Sequence, residues 1–298
     1  MSRLWPRALI MCFGGLSAAC ASAAFAQESL ATPGTLTEAA APRSDARLRS
    51  FELPPVTVVG EQGSTLREED RVGTYQQPRW TATRRFPNTR IYVIPEDQIE
   101  VEFWARPTFQ EDGSVETRLL YEVEVGLPYR FQLDLYYRAD VEEGDYRNGA
   151  QFEVRYALAD WGKIFANPTI YLEYAPLESK PDKVEARLLL GDELAPRWHW
   201  GINLNGEFET GGERENEYQI SGGLSYTVID EKFSVGVEGK ALFTDVHGNR
   251  GDFTDVYLVG PSVQWRPAPQ LTVNLVPLVG VGDNSPDAEV TLNVGWEF

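Results

Sequence analysis

The side chains of this sequence that could do chemistry are carboxylates, guanidiniums and one lysine at even spacings. Glu100 and Glu102, Glu122 and Glu124, Asp134 and Arg138, Glu153 and Arg155, Glu185 and Arg187, and Glu238 and Lys240 are separated by two or four residues. Even spacing puts both members of a pair on one face of an extended strand. Arg106, Arg130, Glu173 and Glu207 fall on the same faces, as do Glu116, Arg118 and Glu217. A wall lined this way could hold water and select solutes by charge. Any single pair could equally be a cross-strand ion pair that keeps two strands in register.

Other chemistries find little support. The two cysteines, Cys12 and Cys20, lie near the N-terminus, and the histidines are His199 and His247. No catalytic, cofactor-binding or metal-binding residue is assigned, because no Gly-rich phosphate loop, metal-ligand cluster or redox motif occurs. Acyl hydrolysis needs a base beside its nucleophile. His199 stands between Trp198 and Trp200 with Gly201, not serine, two residues along, and His247 sits in a turn-like Val246–Asn249 stretch. The 298 residues carry 45 acids against 27 bases, a net charge of -18. That balance excludes a nucleic-acid partner, which needs clustered Lys and Arg.

Three segments must position these residues. Residues 1–26 read as a signal peptide: Arg3 and Arg7, an apolar run, and Ala24-Phe25-Ala26 as the cleavage site. Residues 27–96 read as a partly disordered periplasmic arm or a partial plug. Within it Pro54-Pro55-Val56-Thr57-Val58-Val59-Gly60 looks like the boxes by which some receptors engage the TonB energy-coupling protein, or is a plain β-prone patch. Between Arg71 and Pro95 stand five arginines, Arg71, Arg79, Arg84, Arg85 and Arg90, and no acid. Such a segment is either a solvated loop or a plug that docks on carboxylates elsewhere.

Residues 97–298 alternate polar and apolar residues with the period of a strand. Twelve alternating segments are expected, near 98–109, 115–126, 129–138, 149–158, 168–175, 183–190, 197–209, 216–228, 232–244, 255–266, 270–280 and 287–298. Their lengths suit tilted strands crossing a bilayer, and their number is even. Long polar connections such as Ala139–Gly149 alternate with tight turns such as Pro267-Ala268-Pro269. Trp198, Trp265, Trp296 and Phe298 are expected at one rim, and Tyr137, Tyr174, Phe208, Tyr218, Phe243 and Tyr257 at the other. Alternation alone would also fit a soluble barrel with its apolar face turned inward.

The aromatic rims, the unequal turns and the closing Asn293-Val294-Gly295-Trp296-Glu297-Phe298 resemble Gram-negative outer-membrane β-barrels. The finer resemblance is to small channel barrels grouped with hydrophobic-compound and nucleoside uptake proteins. The resemblance implies an all-β fold, a closed antiparallel transmembrane barrel of about twelve strands. It further implies an outer-membrane location, lipid as a partner, and assembly machinery that reads the strand ending in Phe298. The expected function is passive passage of small solutes through a narrow charged lumen, with a tilt toward cations or neutral molecules and no cofactor. The alternatives are a non-conducting structural or surface-interaction barrel and an outer-membrane lipid hydrolase.

Overall fold

The structure, a computed structural model, describes residues 67–298 except 179 and 213. The expected signal peptide, both cysteines and the Pro54–Gly60 stretch lie outside the described residues. Two short strands, β1 (Arg71–Val72) and β2 (Gln77–Pro78), pair with each other. Twelve longer strands follow: β3 (Ile99–Phe109), β4 (Val115–Leu127), β5 (Phe131–Glu142), β6 (Asp145–Ala157), β7 (Thr169–Ala175) and β8 (Lys183–Ala195). The remaining six are β9 (Trp198–Glu209), β10 (Asn216–Ile229), β11 (Phe233–Asp245), β12 (Thr254–Ala268), β13 (Leu271–Val281) and β14 (Ala288–Glu297). Each is antiparallel to its chain neighbours, and β14 returns to pair with β3, so the barrel is closed. Closure leaves no strand edge to be satisfied by water.

The twelve expected strands are present, with one clear correction. Ala139–Gly149 is not a loop. The β5–β6 hairpin runs on to Glu142 and Asp145 and turns through Glu143 (φ 51°) and Gly144 (φ 93°). Two left-handed residues make the tight turn that matches strand twist. The extension carries ion pairs on its inner face, with Arg147 on Glu142 at 2.7 Å and Arg138 on Asp140 at 2.6 Å, and its Glu142-Glu143-Gly144-Asp145 tip is polar throughout. A strand that leaves the apolar belt loses its alternation and reads as loop.

The faces divide as the alternation requires. Val101, Leu135, Val154, Leu172, Leu204, Ile220, Val237 and Val259 are exposed on the outside. Their strand neighbours Glu102, Asp134, Glu153, Asn203, Ser221 and Glu238 are buried within. The expected rim aromatics also face outward, with Trp198, Trp265, Trp296, Tyr137, Tyr174, Tyr218 and Tyr257 exposed. We call the end where β3 begins and β14 finishes the terminal end, and the other the distal end. The connection 158–168 is the long exception at the terminal end.

The larger apolar cluster inside the barrel is built mostly by the chain preceding it. Residues 67–97 lie against the inner wall over the terminal half, and Tyr75, Trp80, Phe86, Ile91, Tyr92 and Val93 cluster there with Ala157 and Trp161. Trp161 meets both Trp80 and Tyr92 edge to face, at 5.6 and 5.2 Å between ring centroids. Small residues in the wall admit this cluster: a Cβ on Gly201 would stand 3.2 Å from Ile91 and from Thr89.

Candidate functional site

Neighbouring strands place a nest of carboxylates inside the terminal half. Register sets Glu102 opposite Glu122 and Glu100 opposite Glu124. Like charges directly opposed destabilise a sheet, and here the 67–97 segment supplies the counter-charge. Arg84 donates from Nε to Glu102 at 2.9 Å and from Nη2 to Glu122 at 3.2 Å, and it also contacts Glu124. Arg90 contacts Glu124 and stands 3.8 Å from Glu122. Trp104 donates its indole N–H to Glu122 at 2.7 Å, with the Arg84 guanidinium 4.3 Å above its ring. Burial alone would lower the Arg84 pKa, but Glu102 and Glu122 outweigh it and hold the guanidinium above its ordinary value.

The other arginines of the segment go elsewhere. Arg79 pairs with Glu231 in the β10–β11 turn at 2.8 Å, Arg85 pairs with Glu68 of its own segment at 2.7 Å, and Arg71 is exposed. The tip of the segment reaches about half-way up the barrel. There the Asn88 backbone N–H donates to Glu238 at 2.9 Å, and Ser221 donates to the Asn88 carbonyl at 3.0 Å. The chain then descends: the Ile94 N–H donates to Gln132 at 2.8 Å before β3 begins.

Above that tip lies a cavity of about 340 Å³, reaching the distal strand ends at Glu142 and Arg147 and floored by Pro87, Asn88 and Arg90. Arg106, Arg138, Glu153, Arg155, Glu173, Glu185, Arg187, Glu207 and Lys240 line it. Arg155 is held by Asp134 at 2.7 Å and by Glu153, Arg187 by Glu185, and Lys240 by Glu289 at 2.8 Å. Arg130 is a correction. It stands in the turn between β4 and β5, where φ is positive, and pairs with Asp160 of the 158–168 connection at 3.0 Å instead of lining the interior. The turn Pro128–Arg130 removes it from the strand alternation that placed it there.

Pairwise reading of the sequence missed a longer pattern. Following register from strand to strand, Glu297 of β14 faces Glu100, Glu100 faces Glu124, and Glu124 faces Asp134. Asp134 faces Glu153, Glu153 faces Glu173, and Glu173 faces Glu185. Glu185 faces Glu207, which faces Glu217. One carboxylate per strand thus forms an unbroken row from β14 through β3 to β10. It begins near the terminal end and finishes near the distal end. Only strand register reveals such a row, since its members are far apart in sequence. His199 was also undervalued. It is fully buried and stacks on Trp80 with ring centroids 4.4 Å apart, and neither ring nitrogen has a hydrogen-bond partner among the described residues.

Comparison with known proteins agrees with this architecture. Residues 186–298 match a family described as the MetA-pathway of phenol degradation, a match to less than half of the chain. Among curated proteins none is similar to this sequence. Among solved structures, an outer-membrane channel from Pseudomonas putida F1 superposes with a TM-score of 0.53 at 10% identity, covering 70% of this chain and 98% of that one. The NanC porin gives a TM-score of 0.46 at 16% identity, and the KdgM porin, in complex with oligogalacturonate, 0.45 at 10%; each likeness covers 67% of this chain and 98% of the porin. The chain has the closed twelve-stranded antiparallel fold of an outer-membrane β-barrel.

Proposed function

We propose that this protein is an outer-membrane channel for small solutes whose lumen is closed over its terminal half by residues 67–97. The location is supported by the outward apolar belt with its aromatic rims. An apolar surface of that extent on a closed barrel is matched by acyl chains, and the aromatic rims by headgroups. The observation that carries the channel reading is the charged cavity, open toward the distal end, whose floor is a separate stretch of chain rather than the wall. That floor is held by ion pairs, hydrogen bonds and the apolar cluster around Trp80, but it contributes no strand to the closed barrel, so its displacement leaves the strand ladder intact.

The test is conductance of the full-length protein in planar bilayers, alone and with Arg84→Gln and Arg90→Gln combined. The channel reading expects rare openings in the wild type and frequent ones in the variant, accompanied by liposome swelling with small solutes. The closed floor also fits a second reading, a non-conducting structural barrel. Silence of both proteins in the bilayer, with the barrel folded, favours that reading and overturns the channel.

A further inference from the structure

We infer that the register row of carboxylates is a track for cations, and that Arg84 and Arg90 are tethered cations occupying its inner end. The inference rests on the channel reading above and adds the charge class of the solute. A row built for stability would alternate in sign from strand to strand, because like charges directly opposite each other are destabilising. This row keeps one sign across nine consecutive strands, β14 and β3 to β10.

The counter-charges are incomplete. Among the described residues Glu100, Glu173 and Glu217 have no basic partner, whereas Glu185 is paired with Arg187 and Glu207 with Lys183. Glu100 is the most telling. Only 2% of it is exposed, its Oε2 has no hydrogen-bond partner and its side chain no ion pair among the described residues, and it belongs to the row where the row enters the terminal half. A buried, unpartnered carboxylate is costly to ionise, and a passing cation supplies what it lacks. Next to it the same wall already binds cations: Arg84 and Arg90 sit on Glu102, Glu122 and Glu124. When residues 67–97 leave, these carboxylates lose their guanidiniums. Glu100 and Glu124 then stand without a basic partner at one end, and Glu173 and Glu217 further along, between carboxylates held by Arg155, Arg187 and Lys183, as successive stations for a small inorganic cation or an organic ammonium or guanidinium ion. Rings of one charge sign lining a narrow passage set its selectivity.

Two measurements on the full chain test this. The first is the reversal potential in planar bilayers under a potassium chloride gradient, for the wild type, R84Q/R90Q and E173Q/E217Q. The second is calorimetric titration of spermidine into the detergent-solubilised proteins, which needs no open pore. Glu173 and Glu217 lie above the tip of the 67–97 segment, and neutralising them relieves repulsion, so E173Q/E217Q retains the fold. The track expects cation-selective openings, a reversal potential that moves toward zero in E173Q/E217Q, severalfold weaker spermidine binding in that variant, and tighter binding in R84Q/R90Q. Unselective or anion-selective conductance overturns the track and leaves the channel standing. Silent bilayers with spermidine binding that E173Q/E217Q weakens overturn the channel and leave the cation site standing. Spermidine affinity equal in all three proteins overturns the track.

Discussion

Gly223 of β10 lies directly beneath Phe86: a Cβ on this glycine would stand 2.5 Å from Cδ1 of the ring. The wall is notched where the inserted segment carries its bulkiest tip residue, and no side chain fits the notch while Phe86 occupies it. Gly223→Leu therefore sets the two in competition. Overpacking of this kind costs about 1–3 kcal/mol, and displacing the segment relieves it without disturbing strand pairing. Residues 67–97 should become sensitive to trypsin, and conductance should rise, while the barrel keeps its heat-modifiable migration on gels. A folded Gly223→Leu protein with an unchanged digestion pattern would show that the notch does not govern seating.

Arg84 is the counter-ion of three buried carboxylates at once, so its loss should cost far more than that of Arg71, which is exposed. Removing one partner of a buried ion pair destabilises by about 3–5 kcal/mol, because the remaining charge is left uncompensated. Arg84→Ala should release the segment, as read by hydrogen exchange across residues 67–97, and Arg71→Ala should not. Adding Glu102→Gln to Arg84→Ala should restore part of the protection, since Glu102 is paired with Arg84 alone and its orphaned charge is then removed. Equal exchange in the Arg84 and Arg71 variants would refute the latch.

His199 offers the opposite sign. Its ring is buried against Trp80 and its nitrogens are unpartnered among the described residues. An unsatisfied buried polar group costs about 1–3 kcal/mol, and an apolar replacement of similar shape removes that cost. His199→Phe keeps the stack on Trp80 and should raise the denaturant midpoint for release of residues 67–97. A lower midpoint would mean that a nitrogen of His199 is bonded after all.

How much of this was legible in the sequence depends on the range over which each feature is specified. Alternation is local, so the strands and their two faces could be read directly: period two alone puts Val101 and Glu102 on opposite faces, and the rim aromatics and unequal turns say which face is the outer one. The Glu143-Gly144 turn could not, because the polar strand ends around it look like any loop. The arginines of 71–90 marked a segment needing acidic partners. Only the folded barrel shows that Arg84 and Arg90 reach the interior while Arg79 stops at Glu231 and Arg85 turns back to Glu68. The carboxylate row joins residues from Glu100 to Glu297, and register is a long-range property that no single stretch of sequence fixes.

Leu204 and Asn203 stand side by side on β9 and face opposite ways, Leu204 exposed on the outside and Asn203 buried within. Substitution at this pair separates a lipid-facing belt from a water-facing one. An arginine on the lipid face near mid-membrane costs roughly 2–4 kcal/mol, so Leu204→Arg should lower the denaturant midpoint of the liposome-folded barrel by a corresponding amount. Leu204→Phe should leave it nearly unchanged, since an apolar ring suits acyl chains as well as leucine does. Were the outer face washed by water, the order would reverse: arginine would be tolerated and phenylalanine would promote aggregation. The comparison needs no ligand and no open pore, so it tests the sidedness of the barrel independently of what passes through it.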